Sequence, residues 1–154
     1  MIPVYFAMPV THYHTAELKS DLEYLDSMEY APYVPSSDED EAGYKAYGMK
    51  YFTDLLNSGR FKGLVFRSFA DGAIGQGVAT EIISILNQAL PVLELRDLDP
   101  FDCFSKYRLN AVSRDEVTRR ELNVSDTRSR IKLLKEHSNL LDGLGHVKDE
   151  HLGI

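Results

Sequence analysis

Short β-prone runs alternate with segments of helical periodicity through the first two thirds of the chain, and few architectures accommodate that order. Ile2 to Met8 is apolar and β-prone. Thr15 to Met28 repeats Leu18, Leu22, Leu25 and Met28 at helical spacing. Tyr30 to Val34 reads as a second strand, and Pro32, which has no N–H to donate, puts it at an edge. Ser36 to Glu41 reads as a solvated loop. Tyr44 to Leu56 reads as a second helix with Tyr44, Tyr47, Tyr51, Phe52 and Leu55 packed along one side, ended by Asn57-Ser58-Gly59. Gly63 to Phe69 is a buried strand, Gly77 to Ala89 a helix, and Pro91 to Leu95 a further strand. This β-α-β-α-β-α-β order predicts an α/β protein with a mainly parallel sheet and helices on both faces. Ligands of such sheets bind beyond the carboxyl ends of the strands, which here are followed by Ala7–His14, Pro35–Gly43 and Ser68–Gly77.

A chain of 154 residues, 44% of them hydrophobic, reads as one domain. Residues 1–100 form the α/β core of this reading, and 101–154 a C-terminal helical extension with a polar tail holding His146 and His151. Basic residues outnumber acidic ones from Lys106 to Lys135, the reverse of Glu17 to Glu41. That stretch reads as solvated helices packed on the sheet or on another subunit, with a surface for a phosphorylated ligand as the alternative. Ser113 with Glu116 resembles a capping box, and Ser125 precedes a helix that ends near Gly143. The net charge of −7 argues against dedicated nucleic-acid binding. A single cysteine excludes an internal disulfide and a thiolate zinc site; Cys103, between Asp102 and Phe104, reads as packing. The longest apolar runs, Leu64–Phe66 and Ala89–Leu93, fall far short of the roughly 20 residues a membrane span needs. The first residues lack the basic flank of a secretory signal. A cytoplasmic protein without a membrane partner is expected.

The most informative segment is Asp71-Gly72-Ala73-Ile74-Gly75-Gln76-Gly77, a glycine-rich turn between a buried strand and a helix. Glycines there permit positive φ and close approach of a ligand to the backbone, and the helix start offers free N–H groups to an anion. The order G-x-x-G-x-G is neither the dinucleotide fingerprint nor a P-loop. By itself it is as well explained by turn chemistry. Glu81 shifts that balance, because it lies one turn into the helix beside Val78, Ile82 and Ile85. A helix-borne carboxylate near the mouth of the sheet is expected to be ionised at neutral pH and to face a bound sugar.

Taken together these segments resemble the nucleoside 2-deoxyribosyltransferase superfamily. Val4-Tyr5-Phe6-Ala7-Met8-Pro9 is similar to the family's opening strand I-Y-F/L-A-x-P. Asp71-Gly72, Gly77-Val78-Ala79-Thr80-Glu81-Ile82 and Pro91-Val92 follow its D-G-x-x-x-D-x-G-T-x-x-E-I-G stretch and the P-V strand after it, and Asp54-Leu55 matches an Asp-Leu pair in the preceding helix. The resemblance runs over residues 2–95. It implies a single Rossmann-like or flavodoxin-like, mainly parallel sheet of about four to five strands flanked by helices. It also implies cleavage or exchange of the N-glycosidic bond of a nucleoside or 5′-nucleotide. Glu81 is then the nucleophile, Tyr5 its hydrogen-bond partner, and Asp54 the residue facing the leaving base. Ala7, Met8, Pro9, His12, His14, Asp71, Gly72, Gly75 and Gly77 are the substrate-binding positions. Gly75 stands where the transferases carry a second acid, and no C-terminal asparagine is assignable, which makes a hydrolase of this superfamily at least as good a match as a transferase.

Two other readings stay open. One is a nucleotide-binding protein of the same fold without turnover, used as a sensor or for sequestration; the other is a phosphoribohydrolase-like enzyme. No cofactor is expected, and His12 and His14 at i, i+2 without a nearby ligand set make a poor metal site. A homo-oligomer is expected, because the aromatic second helix and the basic last third both offer surface to a second copy.

Overall fold

The computed structural model describes residues 1–98 and 106–143, and side chains up to residue 138. Cys103, His146, His151 and the polar tail fall outside the described residues. The chain forms a five-stranded sheet in the order β2-β1-β3-β4-β5. The strands are β1 (Ile2–Ala7), β2 (Tyr30–Tyr33), β3 (Leu64–Phe66), β4 (Val92–Asp97) and β5 (Tyr107–Ala111). The first four run parallel and β5 pairs antiparallel with β4. The 2-1-3-4-5 order is that of flavodoxin-like doubly wound sheets. Pro32 does lie on the edge strand, opposite Val4.

Alternation along β1 divides the core. Val4, Phe6 and Met8 face α1 (Ala16–Ser27), against Leu18 and Leu25. Tyr5 and Ala7 face the opposite layer, with Leu56, Phe61, Ile82 and Val117. Successive strand side chains point to opposite faces, so a central parallel strand must be apolar on both. The second layer is built from α3 (Met49–Leu56), α4 (Gln76–Leu86) and α5 (Arg114–Arg120).

Four expectations need correction. The acidic run is not a loop but the first turn of α2 (Asp38–Tyr47). Ser37 Oγ accepts from Asp40 N–H at 3.1 Å and Asp40 Oδ2 accepts from Ser37 N–H at 3.2 Å, a reciprocal cap that starts a helix where the charges complement its dipole. The expected helix from Tyr44 to Leu56 is two helices, because Gly48 takes φ +66° between α2 and α3. Its aromatic side is also less buried than expected: Tyr44 stacks on Phe52 at the surface, and Tyr47 is 71% exposed. Finally, the expected helical extension contains a strand, β5, which adds a fifth, antiparallel strand to the sheet.

The rest of that extension is helical. Ser113 Oγ caps α5 by accepting from Glu116 N–H at 3.3 Å. Ser125, expected to precede a helix, lies inside α6 (Val124–Gly143), whose start is capped by Asn123 Oδ1 accepting from Asp126 N–H at 2.7 Å. The α5–α6 connection is stitched to the glycine-rich turn: Ile74 N–H donates to the Arg120 carbonyl at 2.9 Å, and Leu122 N–H to the Ile74 carbonyl at 2.8 Å. No helix among the described residues is long and apolar enough to cross a membrane.

Candidate functional site

Tyr5 reaches Glu81 from the sheet. Its position on β1 turns the phenol toward α4, and Glu81, in the second turn of α4, turns inward beside Val78, Ile82 and Ile85. The Tyr5 hydroxyl donates to Glu81 Oε2 in a short hydrogen bond. Tyr5 is fully buried and Glu81 only 7% exposed. Burial pushes the Glu81 carboxyl up to about 8, while the Tyr5 hydrogen bond pulls the other way. The expectation of an ionised carboxylate at neutral pH is therefore corrected. Glu81 lies beyond the first turn of its helix, out of reach of the unpaired N–H groups, and desolvation wins. The Tyr5 phenol is raised in turn, by burial first and then by the charge and hydrogen bond of Glu81.

Aromatic rings pack against the Tyr5 side of this pair. Phe61 meets Tyr5 edge-on at 5.5 Å between centroids, and Tyr33 lies at 6.2 Å. Arg60 covers the outer side of Tyr33, its guanidinium carbon 4.5 Å from the ring centroid. Tyr13, just after the 3-10 turn Val10–His12, has its phenol raised by burial and then by the charges of Glu81 and Asp40.

Asp40 is the second buried carboxyl of this region, at 1% exposure, and sequence reasoning left it in a solvated run. It accepts from the hydroxyls of Tyr33 at 2.6 Å, Ser37 at 2.8 Å and Tyr51 at 2.9 Å. Burial pushes Asp40 up, but these hydrogen bonds together hold it below the usual carboxylate range. One carboxyl is thus kept neutral and one ionised near a common set of tyrosines, the arrangement from which acid and base roles are built. Gly43 makes room for it. A Cβ there would sit 2.3 Å from the Tyr51 ring.

The remaining expected site residues are distributed differently. Asp54 does not join the Tyr5–Glu81 pair; it is exposed on α3 and ion-paired with Lys50 at 2.5 Å. Ala7, Met8 and Pro9 are buried, and the Ala7 carbonyl accepts from Arg67 N–H at 2.9 Å. His12 is turned to α1, its Nε2 2.8 Å from Oδ2 of the fully buried Asp21. Arg67 clamps the same carboxylate with Nε at 2.9 Å and Nη2 at 2.7 Å. His14 is exposed, with φ +61°.

In the glycine-rich turn, Asp71 Oδ1 accepts from Ala73 N–H at 3.1 Å and from Arg130 Nη1 at 2.7 Å. Gly72 uses its freedom at φ +89°, whereas Gly75 has ordinary extended backbone and a Cβ there would meet Thr127 at 3.3 Å. Gly77 faces Met49, whose Sδ would lie 3.9 Å from an added Cβ. The free N–H expected at the start of α4 is taken: Gln76 N–H donates to Thr127 Oγ1 of α6 at 3.0 Å. The chain's own helix thus occupies part of the ground where an anion was expected.

Among the described residues no group of three or more His, Cys, Asp or Glu side chains is placed to hold a metal ion. No protein-family model, curated protein or solved structure matches the chain.

Proposed function

We propose that this protein cleaves or exchanges the N-glycosidic bond of a nucleoside or 5′-nucleotide, with Glu81 as nucleophile. The observation that carries the reading is the buried Glu81 carboxyl hydrogen-bonded by the Tyr5 hydroxyl at the sheet–α4 junction. Attack by a Glu81 oxygen on the anomeric carbon forms a glycosyl ester as the bond to the base breaks, and water or a second base then takes the sugar. The oxocarbenium-like transition state places positive charge beside a carboxylate in a site of low polarity, so the attraction grows toward the transition state. Glu81 attacks only when deprotonated. The free protein therefore gains kcat/KM as pH rises through about 8. Tyr5 holds the carboxylate in place and stabilises its charge. Asp54, which the family resemblance puts opposite the base, has to leave Lys50 to play that part. Asp54→Asn tests it through the rate of base release.

The test of the whole reading is release of free base from a panel of nucleosides and 5′-nucleotides at pH 7 and pH 9. Wild type is expected to release base faster at pH 9, and Glu81→Gln to lose release by at least about 1,000-fold, since an amide of the same shape cannot form the ester. Full release by Glu81→Gln would overturn the nucleophile. The second reading, a nucleotide-binding protein without turnover, is favoured by the raised Glu81 carboxyl, which is a poor nucleophile while protonated. Binding without release by either protein selects it.

A cytoplasmic homo-oligomer belongs to the same proposal. Residues 132–138 of α6 are all exposed, with Leu133 at 66% and Leu134 at 41%. A second copy would remove this apolar surface from water. Light scattering at micromolar concentration is expected to give more than one chain per particle, and a monomer mass would exclude the assembly.

A further inference from the structure

A cavity of about 440 Å³ opens on the other side of the glycine-rich turn, between that turn, the end of β4 and the C-terminal end of α5. Neither Tyr5 nor Glu81 lines it. Arg120, one of its lining residues, is fixed by three hydrogen bonds to two partners. Arg120 Nη1 donates to Glu94 Oε1 at 3.0 Å, Nη2 donates to Glu94 Oε2, and Nε donates to the Gly72 carbonyl at 2.8 Å. Glu94 is 2% exposed and is consumed by this bidentate pair. Asp71, on the rim, is likewise consumed by Arg130.

Two guanidiniums on the wall are not consumed. Among the described residues Arg96 has Glu94, at 3.9 Å, as its ion-pair partner, and it is half exposed. Arg119 makes no hydrogen bond or ion pair with the described residues. The one remaining acid, Glu116, stands 3.6 Å from Arg120 Nη1. Gly72 leaves the space between the arginines open. A Cβ on it would lie 3.7 Å from Arg96 Nη2 and 3.9 Å from Arg120 Nη2, so two cations converge on a point that any side chain would fill. In a protein of net charge −7, a cavity with surplus guanidinium charge is a local exception.

We propose that this cavity is a binding site for a phosphate group, held by Arg96 and Arg119 over the fixed Arg120. Planar guanidinium forks match the oxygens of phosphate, and Arg96 and Arg119 against Glu116 leave the cavity with net positive charge to attract it. The overall acidic charge of the chain keeps such an ion off most of its surface, which makes a local cluster of arginines the more selective for it. The group is either inorganic phosphate or the phosphate monoester of a small sugar, and both present the same oxygens to the arginines. The site stands independently of the Glu81 reading.

Isothermal titration calorimetry of the full chain at constant ionic strength tests it, with inorganic phosphate, ribose 5-phosphate and acetate as separate titrants. Saturable binding of either phosphate, with none of acetate, is expected. Arg96→Gln and Arg119→Gln should each weaken it about tenfold and the double variant abolish it, with melting temperature and circular dichroism unchanged. Lys132→Gln, an exposed charge change on α6, should bind as wild type does. Binding of ribose 5-phosphate alone identifies the monoester as the source; binding of both identifies the phosphate group as sufficient. Absence of saturable binding by either phosphate, or binding that the double variant keeps, overturns the site.

Discussion

Glu81 and Asp21 are both buried carboxyls, and their neighbours give them opposite chemistry. Asp21 receives two nitrogens of Arg67 and lies against His12, which hold it below the usual carboxylate range although burial pushes it up. Glu81 has one hydroxyl donor and a wall of apolar side chains, so burial wins. Tyr5→Phe removes that donor. The Glu81 carboxyl should then rise further, moving the acid limb of the pH–rate profile to higher pH, and kcat/KM at pH 7 should fall by about 10- to 100-fold, the worth of a hydrogen bond to a charged group. A profile identical to wild type would remove Tyr5 from the site. At this scale the sequence was readable where a motif carried the residue: Tyr5 stands in an opening-strand motif and Glu81 in a helical one, and the structure does bring them together. Asp40 was not readable, because its partners Tyr33 and Tyr51 come from a strand and a separate helix. The spacing of Ser37 and Asp40 was nonetheless a local signal for its helix.

Among the elements, α4 depends on a group from far along the chain. Its start has no side-chain cap of its own, and Thr127 of α6 supplies an oxygen to Gln76 N–H instead. Thr127→Val keeps the side chain's shape and removes the acceptor, leaving a partly buried N–H unpaired. The expected cost is about 1 kcal/mol in the urea unfolding free energy, with the m-value unchanged. The α2–α3 pair depends on absence of a side chain. Gly43→Ala pushes a methyl into the Tyr51 ring, which must move away from Asp40, and should cost roughly 1–3 kcal/mol by the same measurement. An unchanged midpoint in either variant would show that the contact carries no stability. The helices α1 and α4 were legible from an apolar stripe at helical spacing, and β1, β3 and β4 as short apolar runs bounded by Pro and Gly. β5 was not. Tyr107-Arg108-Leu109-Asn110-Ala111 is short and lies in a basic stretch, and what makes it a strand is the edge of β4 beside it.

Over the whole molecule the carboxyls whose proton affinity changes on folding set how stability follows pH. Asp21, Asp40 and Asp71 have folded-state values below their ordinary 3.8, so the unfolded chain binds protons first as pH falls. Their stabilisation is complete above the ordinary value and is lost as the solution becomes more acidic. Glu81 acts in the opposite sense. Its value rises on folding from 4.5 to about 8, so its contribution is complete below 4.5 and is lost as pH climbs through 8. The two trends cross near pH 5, where the urea midpoint should be highest. Between pH 5 and pH 9 wild type should lose on the order of 4 kcal/mol to the burial of the Glu81 charge, because each tenfold change in proton affinity is worth about 1.36 kcal/mol. Glu81→Gln leaves every other titrating group in place, so the difference between the two proteins isolates this one residue. The variant should match wild type near pH 5 and exceed it in stability at pH 9, with a nearly flat curve between. A wild-type curve as flat as the variant's would mean that Glu81 is ionised at neutral pH after all. In that case the rise of catalysis toward pH 8 would disappear together with the loss of stability, since both come from the same proton.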